Sequence, residues 1–360
     1  MHIEFIGHTA NLSLSKNAAD AAIDREGLRK LARLAEESGI DRLAVGGLAA
    51  GQDIAALASF IVHSTSNLGV FLHHRIGAVA PTVAALHLAT LDQLSGGRVA
   101  VEFQPERIDG VEGHEEGLAR VDEYLVLLKR LWANEKPIDH EGSHYSVSGA
   151  FTAAKPFQRG GIPFSLAGLS GTAIKVAARH ADIFALPAAT VDETRQTIAR
   201  VRAAAACHRR ADAIRFSYPL RPVVAATREA AWAKLDRTAG NGPRRPGFIA
   251  ADPFMGGTNP ERFRLQATAR QSPASQPAAT TIVGTAEQVA LAFLDYVDIG
   301  VCDFHLHGFE TAEDLAGFGR SVAPLVRRAV ARHDAHKAES FVEPAPEGAA
   351  AAAFRRRYSN

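Results

Sequence analysis

FLHHRIGAVAPTVAALHLATLDQLSGGRVAVEF, residues 71–103, decides the fold. An apolar run, Leu68–Leu72, stops at the polar cluster His73-His74-Arg75. A helical segment follows with Pro81 in its first turn, where a missing N–H is tolerated. It ends at Ser95-Gly96-Gly97, and a second apolar run, Val99–Phe103, begins. Strand, loop, helix, tight turn, strand is the crossover that joins parallel strands. Polar residues at the carboxyl end of a strand are where α/β proteins, barrels above all, place their chemistry.

The same alternation extends outward in both directions. Strands are predicted at Ile3–Ile6, Arg42–Val45, Leu68–Leu72, Val99–Phe103, Pro163–Ala167, Ile183–Leu186, within Ile214–Ala225, and at Val301–Leu306. Helical spacing of apolar residues places helices at Arg25–Ser38, Asp53–His63, Pro81–Leu94, Glu116–Trp132, Ser170–His180, Val191–Ala206, from Arg228 to Thr238, Ala286–Val297 and Ala312–Arg332. Eight strands alternating with helices over 1–335 read as one (β/α)8 TIM barrel, a fold of about 250 residues before insertions. Ile138–Ala150 alternates around Gly142 and reads as a small hairpin before strand five. Gly240–Thr281, rich in Gly, Pro, Arg and Ser, reads as a mobile insertion between strands seven and eight. Residues 336–360 read as a C-terminal tail.

Composition excludes several classes. A formal net charge of +1 gives no field for nucleic acid or a membrane surface. The two cysteines, Cys207 and Cys302, form no metal or redox motif, and a reduced cytoplasmic setting is the expectation. MHIEFIGHT does not read as a signal peptide, and no apolar run reaches the roughly 18 residues of a membrane helix.

Four constellations carry candidate chemistry. Ala167-Gly168-Leu169-Ser170-Gly171 follows strand five. It is either a phosphate seat at a helix N-terminus or a tight turn with Ser170 as a plain N-cap. In His73-His74-Arg75 the strand alternation sends only one of the two imidazoles into the barrel mouth. No carboxylate or cysteine completes a metal site there, so no metal is expected. His305 and His307, at i and i+2, share one face. If that face is the lumen, two titratable groups sit at the mouth; if not, they are core-edge histidines. Arg221, in a proline-flanked strand, is a natural partner for an anion. His8, Glu102 and Gln104 are further strand-end polar groups.

Several of these stretches resemble the bacterial luciferase-like flavin monooxygenases, most closely the alkanesulfonate monooxygenase branch. They are Ala80-Pro81-Thr82-Val83-Ala84-Ala85, Ala89–Arg98, the helix Arg120–Trp132, Glu141-Gly142, Gly168–Gly171, Arg215-Phe216 and Val283-Gly284 with Ile299-Gly300. The resemblance spans roughly Met1–Arg328 and implies a barrel that uses reduced FMN as cosubstrate and O2. A separate NAD(P)H:flavin reductase would supply the flavin, and the assembly would be a homodimer or homotetramer. It implies that Ala167, Gly168, Leu169, Ser170 and Gly171 hold the phosphate, with His73 and Gln104 beside the cofactor. The sulfonate-binding set is replaced: Ala50 stands where the branch has cysteine, Pro219-Leu220-Arg221 where it has Arg-Leu-His, Phe309 and Leu118 where it has tyrosines. Sulfonate specificity is therefore not expected. Arg221 is expected to bind a polar or anionic group of a small organic substrate. His307 or His74 is expected to act as acid–base group or as hydrogen-bond partner of the activated flavin. The alternatives are hydride exchange with the deazaflavin F420, or a non-catalytic flavin- or partner-binding homologue.

Overall fold

The computed structural model describes residues 1–8, 23–46, 53–105, 114–239, 249–251, 279–309 and 311–341. In chain order the elements are β1 (Glu4–His8), α1 (Arg25–Glu37), β2 (Arg42–Val45), α2 (Ile54–Ser64), β3 (Gly69–Ile76), α3 (Pro81–Ser95) and β4 (Val99–Pro105). Then come α4 (His114–Ala133), β5 (Ile138–Glu141), β6 (Ser146–Ala150), β7 (Phe164–Ala167), α5 (Gly171–His180), β8 (Ile183–Ala185), α6 (Val191–Ala206) and β9 (Arg215–Val224). The chain continues with α7 (Arg228–Ala239), β10 (Ile249–Ala251), β11 (Thr280–Gly284), α8 (Ala286–Val297), β12 (Val301–Leu306), α9 (Ala312–Ser321) and α10 (Ala323–Phe341).

Strands β1, β2, β3, β4, β7, β8, β9 and β12 pair in parallel, and the β8–β9 and β12–β1 ladders close the ring. This is the (β/α)8 barrel that the sequence predicts. β5 and β6 form the separate antiparallel hairpin before the fifth barrel strand.

Alternation divides every strand between two cores. Inward, Ile6, Ala44, Phe71, Ala100 and Ile183 pack together in the barrel. Outward, residues such as Phe5, Leu43, Leu72 and Phe304 join the layer between strands and helices. Helix starts are fixed by their caps: Asp24 accepts from Gly27 N, Asp53 from Ala56 N, and Thr190 and Thr285 form full capping boxes. Helix α3 needs no side-chain cap because Pro81 is preset for the first turn, and Gly96 at φ 68° closes it.

The barrel floor is ionic. Arg42 Nε donates to Glu4 Oε2 at 2.8 Å, and Arg215 reaches both Glu4 and the fully buried Asp303. Floor residues of such barrels serve stability, and these lie at the amino ends of their strands.

Four sequence expectations are corrected. β3 and β4 run on to Ile76 and Pro105, so His73-His74-Arg75 is strand and not loop. The expected helix 312–332 is two helices, because Pro324 cannot sit in a helix interior and instead starts α10. The expected insertion 240–281 contains β10 and the start of β11, which pairs with the outer half of β9 from Leu220 to Val224; residues 240–248 and 252–278 lie outside the described residues. Helix α10 continues through Phe341, so the expected tail begins later, and 342–360 lie outside the described residues.

Candidate functional site

The carboxyl ends of six neighbouring strands, β9, β12, β1, β2, β3 and β4, form one arc of the barrel mouth. Along it stand Arg221, His307, His8, Gly46, His73 and Gln104. The arc is an imidazole cluster at its centre. The His8 and His307 rings stack at 3.9 Å between centroids, His8 Nε2 lies 2.9 Å from His305 Nδ1, and His73 meets His8 edge-on at 5.8 Å. His305, one inward position below His307, rests against Phe71 at 4.8 Å. Gly46 makes this closeness possible, since a Cβ there would sit 2.4 Å from His73 Cβ.

Burial disfavours the charged form of three of these rings. His8 is held well below the ordinary imidazole range, by burial first and then by the neighbouring rings of His307, His305 and His73. Burial also holds His305 well below it, helped by His307 and His73. His307 is pushed down to about 4 by burial and by His73. His8, His305 and His307 are therefore neutral at physiological pH, each with one ring nitrogen that donates and one that accepts a hydrogen bond. His305 Nε2 and His73 Nε2 are buried with no hydrogen-bond partner in the described structure.

At the two ends of the arc the polarity changes. On β4, Gln104 Nε2 donates to Glu102 Oε1 at 3.0 Å and approaches His73 Nδ1 at 3.3 Å. On β9, the Arg221 side chain lies across Gly308, where a Cβ would come 2.3 Å from its Nε. Gly308 has φ 80°, so the chain turns away after β12 and leaves that path to Arg221. The backbone bond His307 N to Leu220 O, 2.8 Å, keeps His307 level with Arg221 on the neighbouring strand.

The opposite wall is small and open: Ala167 ends β7 and Ala185 ends β8. Here the glycine turn leads into α5. Gly168 has φ 128°, a conformation open to glycine, and a Cβ would meet Ala173 Cβ at 2.6 Å. Ser170 is the N-cap, its hydroxyl accepting from Ala173 N at 3.1 Å. The first intrahelical bond is Ile174 N to Ser170 O. The amides of Gly171 and Thr172 therefore point out of the helix end, and the turn is exposed from Leu169 to Gly171. The N-cap and phosphate-seat readings are compatible, since capping uses only the Ala173 amide.

The structure brings His73, Gln104, His307 and Arg221 into one arc and places Ala167–Gly171 across the mouth from it. It does not bring His74 there. His74 faces the outer layer, with Nε2 2.9 Å from Tyr124 Oη and its ring against Phe103 at 5.4 Å. Burial alone pushes it down to about 4, and its outward position gives it a packing role between β3 and α4 in place of the expected catalytic one. Sequence reasoning undervalued His8, His305 and Glu102. The i, i+2 pair of His305 and His307 and the alternation at His73-His74 signal the cluster, and β1 supplies the rest. Among the described residues no group of three or more His, Cys, Asp or Glu is placed to hold a metal ion, and no helix is long and apolar enough to cross a membrane.

Solved structures share this architecture. A long-chain alkane monooxygenase superposes with a TM-score of 0.72 at 18% identity, covering 91% of this chain and 92% of that one. A riboflavin lyase, solved with modified FMN and riboflavin, superposes at 0.68 and 18% identity, covering 91% and 92%. An F420-dependent secondary alcohol dehydrogenase superposes at 0.65 and 16% identity, covering 91% and 99%. At such identities the likeness is one of fold. The sequence profile described as luciferase-like monooxygenase matches residues 8–303, from the histidine that ends β1 to the aspartate on the floor of β12. Because that match covers well over half of the chain, the chain belongs to the luciferase-like monooxygenase family.

Proposed function

We propose that this chain is a flavin-dependent monooxygenase that takes reduced FMN and O2 and oxygenates a small organic substrate in the barrel mouth. The observation that carries this reading is the two-sided mouth, with an exposed glycine turn opening α5 on one wall and a buried imidazole arc on the other. The residues fit the cofactor. Gly168 leaves room for a phosphate to approach the α5 amides, which favour a dianion. The small Ala167 and Ala185 leave space beside the arc, and the buried Nε2 atoms of His305 and His73 have no hydrogen-bond partner among the described residues.

When bound, reduced flavin supplies the electrons that activate O2, so that one oxygen atom reaches the substrate and the other leaves as water. The chain's own residues do the rest. Ala167–Gly171 hold the phosphate. His307, neutral and stacked on His8, gives or takes a proton at the reacting edge. His305 holds His8 through the 2.9 Å bond and so orients the stack. Arg221, level with His307 on the neighbouring strand, binds a polar or anionic substrate group. A separate flavin reductase as supplier, a cytoplasmic location and a homo-oligomeric assembly belong to the same proposal.

The test combines the protein with a flavin reductase and NAD(P)H and follows O2 uptake across a substrate panel. Substrate-dependent uptake is expected, and its dependence on Arg221 is read as a rise in KM in Arg221→Gln. Parallel titration with FMN and F420 separates the two cofactor classes. A clear preference for F420, with no uptake of O2, would replace the monooxygenase reading by hydride transfer.

A further inference from the structure

The polar end of the arc on β4 fixes a proton. Gln104 Nε2 lies 3.0 Å from Glu102 Oε1 and 3.3 Å from His73 Nδ1. An amide nitrogen has two hydrogens and can serve both acceptors. The flipped amide would set its oxygen against the Glu102 carboxylate with no proton between them, so the network itself orients Gln104. His73 Nδ1 is then an acceptor, and the one proton of a neutral imidazole must sit on Nε2. If the ring becomes charged, Nδ1–H faces Glu102 Oε2 at 3.8 Å and Nε2 keeps its proton. That Nε2 is buried and has no partner in the described structure, a state that disfavours the fold unless a ligand answers it.

We infer that Glu102 and Gln104 are positioning residues that lock His73 as an Nε2–H donor, and that this donor meets an acceptor atom of the bound flavin. The lock is a property of the protein alone; the identity of the acceptor rests on the flavin reading above.

The test is imidazole 15N spectroscopy of the full chain at alkaline pH, above the ordinary histidine range of about 6.5. The His73 signals are identified as the pair lost in His73→Gln. A protonated Nε2 and an accepting Nδ1 are expected. Gln104→Glu puts a carboxylate against Nδ1 and should exchange the two signals, whereas Glu102→Gln, whose amide can donate to a flipped Gln104, should release the lock and let both tautomers appear. An Nδ1–H form in the unaltered protein overturns the lock. Adding oxidised FMN should shift the Nε2 signal. FMN that binds without moving it overturns the assignment of the acceptor, and FMN that fails to bind defeats the flavin reading while the lock stands.

Discussion

One methyl group at residue 46 should disable the mouth. A Cβ on Gly46 would lie 2.4 Å from His73 Cβ, 2.8 Å from its Cγ and 3.0 Å from its Cδ2. Carbon atoms rest at about 3.5–4.0 Å, so His73 would have to retreat by about 1 Å. Its retreat is opposed by Phe71, 5.8 Å away edge-on, and by Gln104 at Nδ1. Overpacking of this kind costs about 1–3 kcal/mol. With about 2.1 cal/mol/K of unfolding entropy per residue over 360 residues, each kcal/mol moves Tm by about 1.3 °C. Gly46→Ala should therefore melt about 1–4 °C lower. A misplacement of about 1 Å at a reacting group lowers turnover by about 100-fold, so the functional effect should exceed the structural one. The assays are differential scanning calorimetry and substrate-dependent O2 uptake. The Tm loss should shrink in a His73→Gly background, which removes the Cβ that the new methyl meets. Wild-type Tm and turnover in Gly46→Ala, or an equal loss in the His73→Gly background, would refute the crowding argument.

Three other perturbations probe the remaining parts. Gly168→Val forces a β-branched residue to φ 128° and a Cβ against Ala173, so it should lower stability by about 1–3 kcal/mol and weaken FMN binding at least about tenfold, read by calorimetry. His307, held near 4 against about 6.5 unfolded, binds fewer protons folded than unfolded between those values, so its contribution is present above pH 6.5 and lost as pH falls toward 4. The shift of about 2.5 corresponds to about 3 kcal/mol, visible in urea titrations at several pH values and much reduced in His307→Phe. Arg215→Met leaves the Asp303 carboxylate buried beside Glu4 and should cost about 3–5 kcal/mol in urea unfolding, part of which returns when Asp303→Asn removes the unpaired charge.

Much of the fold was legible because its signals are local. Helices α6 and α8 lie where spacing predicts them, since Thr190 with Glu193 and Thr285 with Gln288 write their own starts. β2 and β12 also match residue for residue. The misses have a common cause. His73-His74-Arg75 reads as loop by polarity, but a barrel strand carries polar residues inward when the lumen holds a site. β11 is hidden at the end of a Gly- and Pro-rich segment because its hydrogen bonds come from the distant β9. The helical spacing of 312–332 runs across Pro324, whose ring instead separates α9 from α10. The site was legible only in pieces. VCDFHL is buried on both faces, so the alternation that groups Asp303, His305 and His307 does not show which face is the lumen. The pairing of His305 with His8 joins residues 297 positions apart, through strand order alone.

The crystal structure of the complex with oxidised FMN tests the central claim most directly. The phosphate should lie against the α5 amides at Gly168–Gly171, with the ring system in the mouth facing His73, His8 and His307. Saturating FMN that leaves this turn empty, or that seats its phosphate at another strand end, would contradict the account.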